Sequence, residues 1–220
     1  VVHPSADPAP LTTALVRGAF EYQGQKCSAA SRAYVPRSIW QGGLRDELAD
    51  VTRSLRYGDV TDLTNFGGAV IDARAFDRHR RALDRAKQAP SLEILAGGGT
   101  DDSEGWFVDP AVLVGTDPAD EAFATEYFGP ILAVHVYDDA SYAETLDLVD
   151  RTSPYALTGA VFATDRAVVV RRAELLKYAS APKEDEGDEP AARGKGKART
   201  EEDPVEAYLA SPAPDATSRT

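Results

Sequence analysis

Residues 131–150 read ILAVHVYDDASYAETLDLVD, and this stretch decides the class of fold. Its first seven residues are almost unbroken β-branched, aliphatic and aromatic side chains, the pattern of a strand buried on both faces. The period then changes: from Ser141 to Asp150, Tyr142, Thr145, Leu146 and Val149 share one side of a helix. Working outward, the same alternation recurs. Residues 159–163 form a strand, and Asp165 caps a helix running to about residue 178. Upstream, residues 111–114 are an apolar strand. Residues 92–95 and 106–108 are two more, joined by the turn AGGGTDDSEG, with Gly97, Gly98 and Gly99 as the bend of a hairpin. Residues 72–87 form a helix with Phe76, His79, Leu83 and Ala86 on one side, while Arg78, Arg80, Arg81 and Arg85 give a solvated face. GDVTDLTNFGG is a surface loop. A helix capped by Ser38 runs toward Leu55 and stops before Gly58, and residues 33–35 are a short strand stopped by Pro36. Residues 11–22 close the series as a helix with Leu11, Ala14, Leu15, Gly18, Ala19 and Tyr22 in register. Strands alternating with helices predict an α/β domain containing parallel pairs.

Composition narrows the function. An apolar fraction of 43% supports a real core, and no run approaches the roughly 20 residues of a spanning helix. The N-terminus, VVHPSADPAP, lacks the basic start and apolar stretch of a secretion signal, and the absence of methionine suggests a record that starts inside a longer polypeptide. A formal charge of −12 repels phosphate backbones and anionic membranes, so neither nucleic acid nor a membrane is the expected partner. One cysteine excludes a disulfide framework and a cysteine-based zinc cluster. His3, His79 and His135 are too scattered to gather a metal, so no metal site is expected. Residues 181–220, rich in Pro, Ala, Gly and charge, carry too little apolar surface to offset their ordering entropy and are expected to be a disordered tail.

Chemistry centres on GQKCSAASR. Gly24 permits a tight turn, Lys26 is a cation near the thiol of Cys27, and Ser28, Ala29 and Ala30 leave room for a substrate. On these residues alone two readings stay open, a reactive thiol or a small buried hydrophobe. FEYQGQKCSAASRAYVP resembles the active-site segment of aldehyde dehydrogenases, and EYFGP, residues 126–130, resembles that family's second signature, at a plausible separation. NFGGAVIDARAFDR, SLEILAGGG, GWFVDPAVL, ILAVHVYDD and SPYALTGAVFATD extend the likeness toward the glutamate γ-semialdehyde (1-pyrroline-5-carboxylate) dehydrogenase branch, over roughly residues 1–170.

The resemblance implies a three-layer catalytic domain over residues 1–180, with a mainly parallel and incomplete sheet. It implies NAD as cofactor and a small aldehyde as substrate. Cys27 would be the nucleophile, forming a thiohemiacetal and then a thioester, with its backbone N–H as an oxyanion donor. Glu126 would hold the nicotinamide ribose, and Phe128 would pack beside it. The plain alternative is a solvated acid and a core aromatic. Ser28 would reach the substrate carboxylate, and Phe20 would wall the aldehyde channel, with a backbone contact and ordinary core packing as their plainer roles. His79 and His135 are expected to be satisfied packing residues. The family's dinucleotide-binding half would precede Val1, and its anchor loop and oligomerisation strand would follow the point where the likeness ends. A homo-oligomer is therefore a family trait without its segment here, and the chain alone is expected to be nearly inactive. A coenzyme-A-acylating semialdehyde dehydrogenase and a non-catalytic partner domain remain alternatives. Arg-over-Lys and Ala-rich usage points to a bacterial cytoplasm.

Overall fold

The structure, a computed structural model, describes residues 1–154 and 157–169. The tail expected over 181–220 and the end of the helix expected to reach residue 178 lie outside the described residues.

Among the described residues the elements run α1 (Leu11–Phe20), β1 (Arg32–Pro36), α2 (Arg37–Ile39), α3 (Arg45–Ser54), α4 (Ala73–Gln88), β2 (Leu92–Ala96), β3 (Thr100–Asp101), β4 (Phe107–Val108), β5 (Ala111–Gly115), α5 (Glu121–Ala124), β6 (Ile131–Tyr137) and α6 (Tyr142–Thr152). The main sheet has the order β1-β6-β5-β2. β6 is parallel to both neighbours, and β2 closes the sheet antiparallel to β5. This is the α/β, mainly parallel arrangement expected.

The three layers follow from strand alternation. Val35, Val112, Leu132 and Val134 point to one face, where they meet Leu11, Leu15 and Val16 of α1 and Leu48 of α3. Tyr34, Leu113, Ile131 and Ala133 point to the other, against Phe76 and Leu83 of α4 and Phe123 of α5. β6 has apolar neighbours on both sides, which explains its continuous apolar run. α4 matches its expected stripe: Phe76, His79, Leu83 and Ala86 are all buried. Asp72 caps it by accepting from the Ala75 N–H at 2.8 Å.

Four expectations change. The strand 92–95 does not form a hairpin with 106–108. β2 pairs with β5, with a register shift between Ile94 and Ala96, while β3 and β4 make a separate two-residue ribbon. The longer, wholly apolar run of β5 buries more surface than Phe107–Val108 could. Gly97 and Gly98, at φ +71° and +85°, take the chain off the sheet edge instead. Ser38 is not a cap. Pro36 occupies that position, the Ser38 N–H donates to Asp139 Oδ1 at 3.0 Å, and the helix widens over Trp40–Leu44, where Gly43 reaches φ +125°. α1 stops at Phe20, because Tyr22 and Gln23 turn to φ +56° and +57°, which leaves Tyr22 70% exposed. Residues 159–163 contribute only a parallel bridge, Phe162 to Val2, although the Asp165 carboxylate does accept from the Ala167 N–H at 2.9 Å.

Candidate active site

Two loops, each leading into the start of one of the parallel neighbours β1 and β6, build one cleft. The first leaves α1. Tyr22, Gln23 and Gly24 in succession hold positive φ, a left-handed turn that only the third accepts without strain. Gly24 is also required sterically, since a Cβ there would overlap the carbonyl oxygen of Gly129 in the second loop. The turn is tied down by the Gln25 N–H to Tyr22 O at 3.0 Å, the Ala29 N–H to Lys26 O at 3.0 Å and the Ala30 N–H to Gly18 O at 2.8 Å. Cys27 sits at its tip, exposed and free of any disulfide. No acceptor among the described residues takes the Cys27 N–H.

Lys26, the cation expected near the thiol, is itself ion-paired. It pairs with Glu21 at 3.1 Å, and Arg17 meets the same carboxylate at 2.6 Å. The Arg17 bond and then the Lys26 bond hold the Glu21 carboxyl below the usual range.

The second loop runs from the end of α5 into β6. Asp120 caps the start of α5, accepting from the Ala122 N–H at 2.9 Å. Its carboxylate receives a bidentate pair from Arg85 of α4, both bonds at 2.9 Å, and the Ser91 hydroxyl at 2.8 Å. Burial opposes charge on Asp120, but Arg85, the Ala122 N–H and Ser91 outweigh it and hold the carboxyl below its ordinary range. Arg78 Nε donates to Tyr127 O at 2.8 Å. Arg78, on the loop backbone, and Arg85, on the cap of α5, are therefore half-buried anchors and not members of a solvated face; Arg80 and Arg81 remain exposed. Tyr127 is buried, with its hydroxyl donating to Glu121 at 3.3 Å. Burial first, then the Glu121 charge, pushes that hydroxyl well above its ordinary pKa.

At the tip, Phe128 adopts φ +54° and is 38% exposed. The Glu126 carboxylate folds over it, Oε1 accepting the Phe128 N–H at 3.0 Å. A left-handed, non-glycine residue with an exposed aromatic ring is the kind of local strain that surrounding structure must hold in place.

Cys27, Glu126 and Phe128 line the same cavity of about 400 Å³, with Phe123, Thr125 and Ser153 among its other walls. The tips of the two loops, 99 positions apart in sequence between Cys27 and Glu126, therefore meet in space. Ser28 is exposed next to Cys27 but is not among the residues lining this cavity. Phe20 is completely buried in the layer under α1, its carbonyl accepting the Tyr57 hydroxyl at 2.8 Å, so its ring stands in the core and not on the cavity wall. His135 lies half-buried in β6, its Nδ1 3.2 Å from Gly115 O. No group of three His, Cys, Asp or Glu among the described residues could hold a metal, and no described helix is long and apolar enough to cross a membrane.

Sequence reasoning did not anticipate Arg78, His79, Arg85 or Asp120 as supports of the site. Only Asp120 carried a local signal, an acid directly before the short helix EAFA.

The model of the aldehyde dehydrogenase family matches residues 1–182. The probable delta-1-pyrroline-5-carboxylate dehydrogenase of Schizosaccharomyces pombe is 46% identical over 181 residues, covering 82% of this chain and 33% of that protein. The crystal structure of the delta-pyrroline-5-carboxylate dehydrogenase from Mycobacterium tuberculosis superposes with a TM-score of 0.76 at 54% identity, over 81% of this chain and 33% of that one. A second structure of that enzyme, bound with NAD, gives a TM-score of 0.74 at 53% identity, over 81% of this chain and 32% of that one. The chain thus spans about a third of the length of the relatives it matches. Because the family model covers 182 of its 220 residues, the chain belongs to the aldehyde dehydrogenase family.

Proposed function

We propose that this chain carries the nucleophile and the ribose-side contacts of an NAD-dependent oxidation of L-glutamate γ-semialdehyde to L-glutamate, a step of proline catabolism. The observation that carries the reading is the shared cavity: a free exposed thiol, an exposed carboxylate and an exposed aromatic ring converge there from two separate loops. The delta-1-pyrroline-5-carboxylate dehydrogenases named among the relatives support the choice of substrate.

The residues present suit the cofactor's ribose. One carboxylate can accept from two neighbouring hydroxyls, and Glu126 has acceptor capacity beyond its bond to the Phe128 N–H. The Phe128 ring offers a flat apolar surface beside it. When bound, the nicotinamide accepts a hydride. Cys27 performs the covalent steps. Its thiolate adds to the aldehyde carbon, and the carbonyl π pair moves to oxygen. The Cys27 N–H, which no described acceptor occupies, donates to that oxyanion. Loss of hydride from the same carbon restores the C=O bond and leaves a thioester. Water then attacks the thioester carbon, the Cys27 thiolate departs, and the carboxylic acid leaves. Ser28, exposed beside the turn, is proposed to reach the substrate's carboxylate during these steps.

Residues 1–180 are proposed as a partial catalytic domain, with 181–220 as a separate tail. Because the chain spans about a third of its relatives' length, the isolated chain is proposed to produce little NADH. A bacterial cytoplasm is proposed on composition alone, and immunodetection in fractionated source cells tests it. The activity itself is tested by grafting residues 1–182 in place of the matching third of the Schizosaccharomyces pombe relative and following NADH with glutamate γ-semialdehyde. The graft should turn over, without coenzyme A. Cys27→Ala should lower the rate by about 10³-fold or more. Glu126→Gln should raise the KM for NAD by about tenfold through a weakened charge-assisted bond. A graft that folds but makes no NADH, or one indifferent to Cys27→Ala, contradicts the proposal.

A further inference from the structure

The imidazole of His79 has no part in the chemistry above, yet it is completely buried beneath the second loop. Its Nε2 lies 2.9 Å from Tyr127 O and 3.2 Å from Phe128 O. Both partners are acceptors, so Nε2 carries the hydrogen and shares it between the two carbonyls. That assignment leaves Nδ1 as an acceptor, and it has no partner among the described residues. A leucine or phenylalanine would fill such a position in a core without an orphaned nitrogen. Retaining the imidazole makes sense where its one donor is needed.

The carbonyls it reaches show the need. Tyr127 O has a second donor in Arg78, but among the described residues Phe128 O is reached by His79 alone. Phe128 is the strained residue at φ +54°. The next residue closes the arrangement. A Cβ on Gly129 would overlap the imidazole ring, and a Cβ on Gly24 would overlap Gly129 O. The ring, the loop backbone and the nucleophile turn are thus stacked with no atom to spare between them. Burial, the largest influence on His79, lowers its pKa, in keeping with a neutral single-donor ring.

We propose that His79 is a positioning residue: its Nε2–H holds the left-handed backbone at Phe128, and its ring, through Gly129 and Gly24, sets the Glu126 loop against the Cys27 turn. The catalytic consequence rests on the reading of Glu126 and Phe128 as ribose contacts. The stack itself does not, so its test is made without cofactor.

Residue-resolved amide hydrogen exchange on the full chain separates this role from simple core filling. His79→Leu and His79→Phe keep apolar volume and remove the donor; His79→Gln keeps a donor near the position of Nε2. The donor-less variants should raise exchange about tenfold at the Phe128 N–H, at the Ile131 N–H that bonds Gly129 O, and at the Gln25 N–H of the nucleophile turn. Val134, inside β6, should change by less than about threefold, and His79→Gln should stay near the parent at all four amides. If Leu, Phe and Gln behave alike, or if exchange rises uniformly through β6, the proposal is overturned. Should either apolar variant fail to fold, the other and the Gln variant still decide. An unchanged cofactor response in Glu126→Gln would remove the ribose reading while leaving this result standing.

Discussion

Cys27 and Glu126 could be picked out from sequence because each sits in a local signature, and the structure lines one cavity with both. The groups that hold them there could not be picked out. His79 shows a helical neighbour pattern and nothing more; its contacts with Tyr127 and Phe128 lie 48 and 49 residues away and depend on how α4 packs under the sheet. Lys26 was legible as a cation near Cys27, but its ion pair with Glu21 was not. At this scale the tight Gly129 contact gives a direct prediction. Gly129→Ala places a methyl group against the His79 ring and should destabilise the chain by about 1–3 kcal/mol in chemical denaturation. Gly42→Ala, which meets nothing within 4 Å, should leave the midpoint unchanged or slightly raised. Equal effects of the two would mean that the Gly129 contact is loose.

Among the elements, those with a strong period matched their expectation and those defined by partner choice did not. α4 and β6 carry sustained helical and apolar patterns, and both appear where expected. The hairpin drawn from β2 to residues 106–108 failed because adjacency in sequence was allowed to choose the partner, whereas buried area on β5 chose it. Arg78 and Arg85 were assigned to a solvated face because the outward side of α4 is rich in charge. Arg78 instead ties α4 to Tyr127 in the Glu126 loop, and Arg85 ties it to the cap of α5. The tie through Asp120 has a pH signature. Its carboxyl is held below the ordinary value of 3.8, so the unfolded chain binds the proton first as pH falls. The stabilisation is therefore complete above that value and lost as pH drops through the folded-state pKa. Because Arg85 is partly exposed, the link should contribute about 1–3 kcal/mol at neutral pH. Asp120→Asn should lower stability by that amount at pH 7 and flatten the acid limb of the stability curve below about pH 4. A parent and variant with parallel acid limbs would show that Asp120 titrates normally.

For the whole molecule, three layers around a mainly parallel sheet bring two distant loops to one side of β6, and that is what makes a site from residues far apart in sequence. The α/β class was legible because strands and helices alternate; the order β1-β6-β5-β2 was not, since it depends on long-range pairing. Membership of the aldehyde dehydrogenase family rests on residues 1–182, and the covalent role of Cys27 is the central claim that remains to be measured. The most direct test mixes the grafted protein with glutamate γ-semialdehyde and NAD, quenches it in acid within one turnover, and weighs the peptide that contains Cys27. The account predicts a glutamyl thioester on that peptide, appearing with the first NADH and absent when NAD is omitted. NADH formed at full rate while the acyl group is found on another residue, or on none, would contradict it.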